Sequence, residues 1–141
     1  MTSSDLDSLG NQDLGHADGL GTADVRGRKF LLQIMIQGRG GQGAQTAGNL
    51  LAMAFFAAGH QVQAFSSYGG ARRGTPVSSF IRIADRPIRV RCDIEQADAI
   101  LCFDASLLEG KLLATARADT LIVVNSSRAP DYYARTLPGY R

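Results

Sequence analysis

Ile34-Met35-Ile36-Gln37-Gly38-Arg39-Gly40-Gly41-Gln42-Gly43-Ala44 is the stretch that decides the fold. An apolar run breaks into a glycine-rich turn, and the residues after it repeat as a helix does. Strand, glycine turn and helix in that order leave backbone N–H groups at a helix N-terminus, where anionic groups bind well. A second glycine-hinged stretch, Ser66-Ser67-Tyr68-Gly69-Gly70-Ala71-Arg72-Arg73-Gly74, adds two adjacent fixed positive charges. One loop rich in amides and one carrying guanidiniums are suited to form the walls of a phosphate site.

Outward from this turn, residues 30–36 make the kind of apolar run that a strand covered on both faces needs. Ala44, Ala47, Leu50, Leu51, Ala54, Phe55 and Ala58 then recur at three- and four-residue intervals, which predicts one apolar helix face. Gly59 is placed to end that helix as a left-handed cap. A second strand over 61–65 completes a β-α-β unit, with a right-handed crossover expected. Val77, Ser79, Ile81 and Ile83 alternate with Ser78, Phe80 and Arg82, then Ala84-Asp85-Arg86-Pro87 reads as a turn. With a returning arm over 88–91 this predicts an antiparallel hairpin. Two further apolar strands are expected over 99–103 and 121–124, and Leu107, Leu108, Leu112 and Leu113 mark a helix between them. Beyond Asn125 no element is evident. The fold class is therefore α/β: a three-layer single domain with a mostly parallel mixed sheet, a Rossmann-like β-α-β start plus a β-hairpin, and an abbreviated C-terminal part.

The chain has 141 residues, enough for one domain with a modest core. Three segments follow from composition. Residues 1–28 are rich in Gly, Ser and Asp with isolated leucines; they offer too little apolar surface to offset ordering entropy and predict a flexible arm. The α/β domain spans 29–127, and 128–141 form an irregular tail. A net charge of +2 conceals an uneven distribution, because no residue from 30 to 84 is acidic while Arg39, Arg72, Arg73 and Arg82 all lie there. Such a segment favours an anionic ligand. Nucleic acid is not expected, since the arginines are few and no aromatic ladder accompanies them. No stretch approaches the ~20 apolar residues of a membrane span. The N-terminus lacks a basic segment leading into an apolar one, so a cytoplasmic protein without a signal peptide is expected. Cys92 and Cys102 read as ordinary buried thiols, not a disulfide. Arg82 reads as a surface charge.

Gly38 to Gly43 fit the GxGxxG pattern between strand and helix. A dinucleotide site also needs an acidic residue at the end of the second strand to hold the ribose hydroxyls. Here that strand ends at Phe65-Ser66-Ser67, with no carboxylate before Asp85, which disfavours NAD. NADP survives as a minor option through Arg72 or Arg73. The same glycines also suit a purely structural role, permitting a tight turn and close helix–strand packing. Two compatible readings of Arg72-Arg73 stand: a phosphate contact, or an ion pair with a carboxylate of a neighbouring subunit. Asp104 is placed as a helix N-cap or as a functional residue at a strand end. His16 and His60 have no evident partner, and Ser66, Ser67, Ser78 and Ser79 lack the setting of a nucleophile. No catalytic residue and no metal ligand is assigned.

At these loops the chain resembles the gamma subunit, or gamma domain, of the 2-oxoacid:acceptor oxidoreductases of the pyruvate:ferredoxin oxidoreductase type. The resemblance runs from about Lys29 to Asn125. It rests on Gly38-Arg39-Gly40-Gly41-Gln42-Gly43-Ala44, on Ser67-Tyr68-Gly69 with Arg72-Arg73-Gly74, and on Arg82-Ile83, Pro87-Ile88, Phe103-Asp104 and Leu121-Ile122-Val123-Val124-Asn125. It implies an accessory subunit of an enzyme that oxidatively decarboxylates a 2-oxoacid to an acyl-CoA. Thiamine diphosphate, Mg2+ and [4Fe-4S] clusters are expected on the alpha, beta and ferredoxin-like delta partners, with ferredoxin or a flavin/NAD(P) subunit as acceptor. Coenzyme A is the ligand implied here, its phosphates approached by Gly38, Arg39, Gly40, Gly41, Gln42, Gly43, Arg72 and Arg73. A pure assembly module and an NADP-binding reductase domain are the rival readings. Family gamma domains continue well past the position of Asn125.

Overall fold

The computed structural model describes residues 30–70 and 74–137. The expected arm over 1–28, Arg72, Arg73 and the last residues of the tail lie outside them. Five strands form one sheet: β1 (Leu31–Arg39), β2 (Gln61–Tyr68), β3 (Pro76–Ala84), β4 (Ala97–Cys102) and β5 (Ala116–Val124), in the order β2-β3-β1-β4-β5. β3 pairs antiparallel with both β1 and β2, whereas β1–β4 and β4–β5 are parallel. Four strands thus point one way and β3 alone is reversed, giving the mixed α/β sheet that the sequence predicts. Helix α1 (Ala44–Ala57) covers one face, and a 3-10 turn (Ala105–Leu107), α2 (Gly110–Ala114) and α3 (Pro130–Thr136) accompany the strands on the C-terminal side. Two apolar clusters result. Ile34, Ile36, Ile81 and Ile83 pack beneath α1 with Leu51 and Phe55, while Met35, Phe80 and Ile100 pack with Leu108 and Leu112 on the opposite face. These are the three layers.

Several expectations need correction. The β-α-β unit forms, with β1 and β2 pointing the same way and β3 inserted between them. The hairpin is β2–β3; residues 88–91 form no strand. Both edges of β3 are already occupied by β1 and β2, so a returning arm has no free ladder to join. The helix marked by four leucines is split into the 3-10 turn and α2, and Gly110 at the break has φ +48°. The expected irregular tail carries α3 with Pro130 in its first turn, a favoured place for proline.

Helix α1 forms where expected and Gly59 follows it at φ +91°. Ala44, Ala47, Leu51 and Phe55 of the seven-residue apolar face pack on the sheet, and the other three do not. Leu50 is exposed, together with Met53 and Phe56, and the fully buried positions are Ala44 and Gly48. Gly48 sits where the helix touches β3. A Cβ there would lie 2.9 Å from Ser79 Cβ, closer than carbon atoms pack.

Arg82 is not a surface charge. It is 2 % exposed, on the β3 face opposite α1. Its Nε donates to Gln33 Oε1 (3.1 Å) and its Nη1 to Gln63 Oε1 (2.9 Å). Nη2 donates to the carbonyls of Cys92 (2.7 Å) and Asp93 (3.0 Å). A buried cation must be hydrogen-bonded throughout, and here neutral amide and peptide oxygens do this work. The guanidinium thereby fastens the irregular segment before β4 to the sheet. Cys92 and Cys102 are both free, as expected, but Cys92 is exposed.

Candidate functional site

The antiparallel placement of β3 brings the start of that strand beside the end of β1, with Arg39 opposite Pro76. The glycine turn that leaves β1 and the loop that enters β3 therefore emerge at one edge of the sheet. Gly40 N–H donates to the Thr75 carbonyl at 2.9 Å, which joins them. Within the glycine turn Gly41 (φ +98°) and Gly43 (φ +85°) take left-handed conformations that other residues rarely adopt. Gly43 is the N-cap of α1 and contributes no side-chain bond, so the helix starts with its first-turn amides uncovered by a cap.

Between these two loops lies a cleft of about 1200 Å³. Arg39, Gly40, Gly41, Gly43, Ala44, Gln45 and Thr46 form one wall; Tyr68, Gly70, Thr75 and Val77 form the other. No aspartate or glutamate lines it among the described residues.

The eight residues assigned from sequence fall into three groups. Arg39, Gly40, Gly41 and Gly43 line the cleft. Gly38 and Gln42 do not: Gly38 is packed close to Phe103 and Ala44, and Gln42 turns its Oε1 back to accept from the Arg39 backbone N–H at 2.7 Å. Arg72 and Arg73 lie outside the described residues. The lining residues that sequence reasoning missed are the first turn of α1 and the ends of β2 and β3. The signal for Gln45 and Thr46 was present, since a glycine N-cap without a side chain exposes the residues directly after it. Tyr68 belongs to the second glycine-hinged stretch, whereas Val77 carries no such local signal and only the sheet order brings it to the cleft.

Behind the cleft, Asp104 follows β4 and joins the glycine turn across the point where the chain switches from one half of the sheet to the other. Arg39 Nε donates to Asp104 Oδ2 at 2.9 Å. The carboxylate also caps the 3-10 turn, accepting from Ser106 N (3.0 Å) and Ser106 Oγ (2.6 Å). The cap reading of Asp104 holds, at the 3-10 turn. The Ser106 bonds foremost, with Arg39 and Gln42, hold its carboxyl at about 2. At the end of β4 itself, burial pushes the Cys102 thiol above its usual range. No three His, Cys, Asp or Glu side chains gather as a metal site among the described residues, and no described helix is long and apolar enough to cross a membrane.

A mixed sheet with a glycine turn at a helix N-terminus, beside a cleft whose described lining holds no carboxylate, defines a small α/β module. The family model for pyruvate ferredoxin/flavodoxin oxidoreductase matches residues 33–140, and the chain belongs to that family. It is similar to the common subunit gamma of the pyruvate/ketoisovalerate oxidoreductases of Pyrococcus abyssi, 42 % identical over 102 residues, covering 72 % of this chain and 55 % of that protein. The crystal structure of pyruvate oxidoreductase subunit PORC from Thermotoga maritima matches with a TM-score of 0.64 at 33 % identity, over 77 % of this chain and 56 % of that one. At 21 % identity and a TM-score of 0.55, the 2-oxoglutarate:ferredoxin oxidoreductase from Magnetococcus marinus, solved with 2-oxoglutarate, coenzyme A and succinyl-CoA bound, shares the fold; the match covers 74 % of this chain and 18 % of that one. The chain spans about half the length of the curated relatives it matches.

Proposed function

We propose that this chain is the gamma subunit of a thiamine diphosphate-dependent 2-oxoacid:acceptor oxidoreductase, and that its cleft takes the phosphate-bearing end of coenzyme A. The observation that carries this reading is the cleft wall itself: a left-handed glycine turn running into an uncapped helix start, with no carboxylate in the described lining. Such a donor set fits a diphosphate. The roughly 1200 Å³ of space is above the usual size for a drug-like ligand, so an extended cofactor fits. When bound, coenzyme A supplies the thiol that accepts the acyl group. This chain's residues bind and orient its far end; the bond-making groups, thiamine diphosphate, Mg2+ and the iron–sulfur clusters belong to alpha, beta and delta partners, with ferredoxin or a flavin/NAD(P) subunit as acceptor. Arg72 and Arg73 are proposed to add charge to the same ligand.

Thr46→Asp tests this in the assembled complex. Thr46 is exposed in the cleft wall, in the first turn of α1. An aspartate there favours the helix dipole, so folding is spared, but it repels phosphate. The Michaelis constant for coenzyme A should rise about tenfold or more, for a loss of ~1.4 kcal/mol or more in binding. An unchanged constant with intact assembly would favour the rival reading of a pure assembly module.

A further inference from the structure

We infer that Asp104 is a positioning residue for the cleft: it holds the Arg39 guanidinium as a tie between three loops, so that Arg39 serves the shape of the site instead of binding the anion. This rests on the coenzyme reading above. The guanidinium donates to protein acceptors in three directions. Nε meets Asp104 Oδ2 at 2.9 Å, Nη1 meets the Gly74 carbonyl at 3.1 Å, and Nη2 meets Ser106 Oγ at 2.8 Å. One side chain from the glycine turn thus grips the loop entering β3 and the turn after β4. Those are the opposite wall of the cleft and its back.

The tie is reinforced at each end. Gln42 accepts from Arg39 N–H at 2.7 Å and directs its Nε2 towards Asp104 Oδ2 at 3.4 Å. Asp104 is itself fixed by two bonds from Ser106, and Gly40 N–H to Thr75 adds a second link between the walls. The chain has no acidic residue from 30 to 84. That segment holds no carboxylate for Arg39, and Asp104, just after β4, supplies one from the other half of the sheet. Three of the guanidinium's five N–H groups are so engaged, which anchors it at the edge of the cleft, and the spacing of the walls is set by the tie.

Asn caps a turn about as well as Asp, so Asp104→Asn keeps the 3-10 turn through its one oxygen on Ser106 and removes both the charge and the acceptor that hold Arg39. In the assembled complex, Asp104→Asn and Arg39→Met should each raise the Michaelis constant for coenzyme A about tenfold, as misplacement of a binding wall does, while kcat is unchanged. The double variant should be no worse than the worse single one, because the two residues act as a unit. Hydrogen exchange at the Gly40 amide, read in the same complex without coenzyme A, should quicken in Asp104→Asn. Multiplicative losses, with Arg39→Met much the more severe, would mean that Arg39 binds the phosphate itself and would overturn the inference. So would unaltered coenzyme A kinetics or unaltered Gly40 exchange in Asp104→Asn. Thr46→Asp separates the two failures: if it raises the Michaelis constant while Asp104→Asn does not, only the tie falls, and if neither does, the coenzyme reading falls with it.

Discussion

Gly48→Ala puts the contact between α1 and the sheet to a quantitative test. In an exposed helix this substitution stabilises by about 1 kcal/mol. Here the new Cβ arrives 2.1 Å from Ser79 Oγ and 2.9 Å from Ser79 Cβ, in a site where Ser79 is 1 % exposed. Rotating the hydroxyl relieves the first clash at the expense of its 3.2 Å contact with Ser66 Oγ, worth about 1 kcal/mol. The second clash is set by the backbones, so helix and strand must part by roughly 0.7 Å to reach ordinary carbon contact. Overpacking of this kind costs about 2 kcal/mol. The net destabilisation is about 2 kcal/mol, which lowers Tm by about 10 °C in a domain this small. Thermal unfolding by circular dichroism reads it directly. Moving the methyl-sized bulk across the contact, in Gly48→Ala with Ser79→Gly, should return most of the loss. A Gly48→Ala protein as stable as its parent would refute the close approach.

Arg82→Met leaves Gln33, Gln63 and two peptide carbonyls without their donor and should cost about 3 kcal/mol by chemical denaturation, far more than loss of a surface charge. The Asp104 carboxyl, held at about 2 and thus below its unfolded value, contributes stability above pH ~4 that is lost as pH falls towards 2. An NMR titration of its carboxyl carbon should show a midpoint near the lower value, and a midpoint near 4 would contradict the Ser106 and Arg39 bonds. A thiol reagent should modify exposed Cys92 quickly and buried Cys102 only on unfolding, since burial raises the latter's pKa and keeps it protonated.

The strand–turn–helix at the centre of the fold was legible because its signals are local: an apolar run, then glycines at positions that need positive φ, then helical spacing. What failed was decided by distant partners. Residues 88–91 have the composition of a strand, but β1 takes the edge of β3 they would need, and that contest is invisible in a short window. Arg82 looked like a surface charge because its partners are glutamines and peptide carbonyls, which carry no opposite charge to reveal them. The face of α1 was legible at Ala44, Ala47, Leu51 and Phe55 but not at Leu50, because apolar residues surround the helix; its closest contact is marked by the smallest residue, Gly48. At the candidate site, the glycine turn was legible for the same reason as the strand. The Arg39–Asp104 link was not, because it joins residues brought together only by the parallel pairing of β1 with β4.

Synthesis proceeds from the N-terminus, and the sheet order gives that direction a cost. When β1 leaves the ribosome, neither of its ladder partners has been translated: Ala84, which pairs with Leu31, and Ala99, which pairs with Ile34, are still to be made. The nascent chain carries an unpaired apolar ribbon through the whole production of α1 and the β2–β3 hairpin. Until the later strands arrive, Ile34 and Ile36 are a natural target for holding chaperones, and slowed translation across residues 40–100 prolongs that exposure.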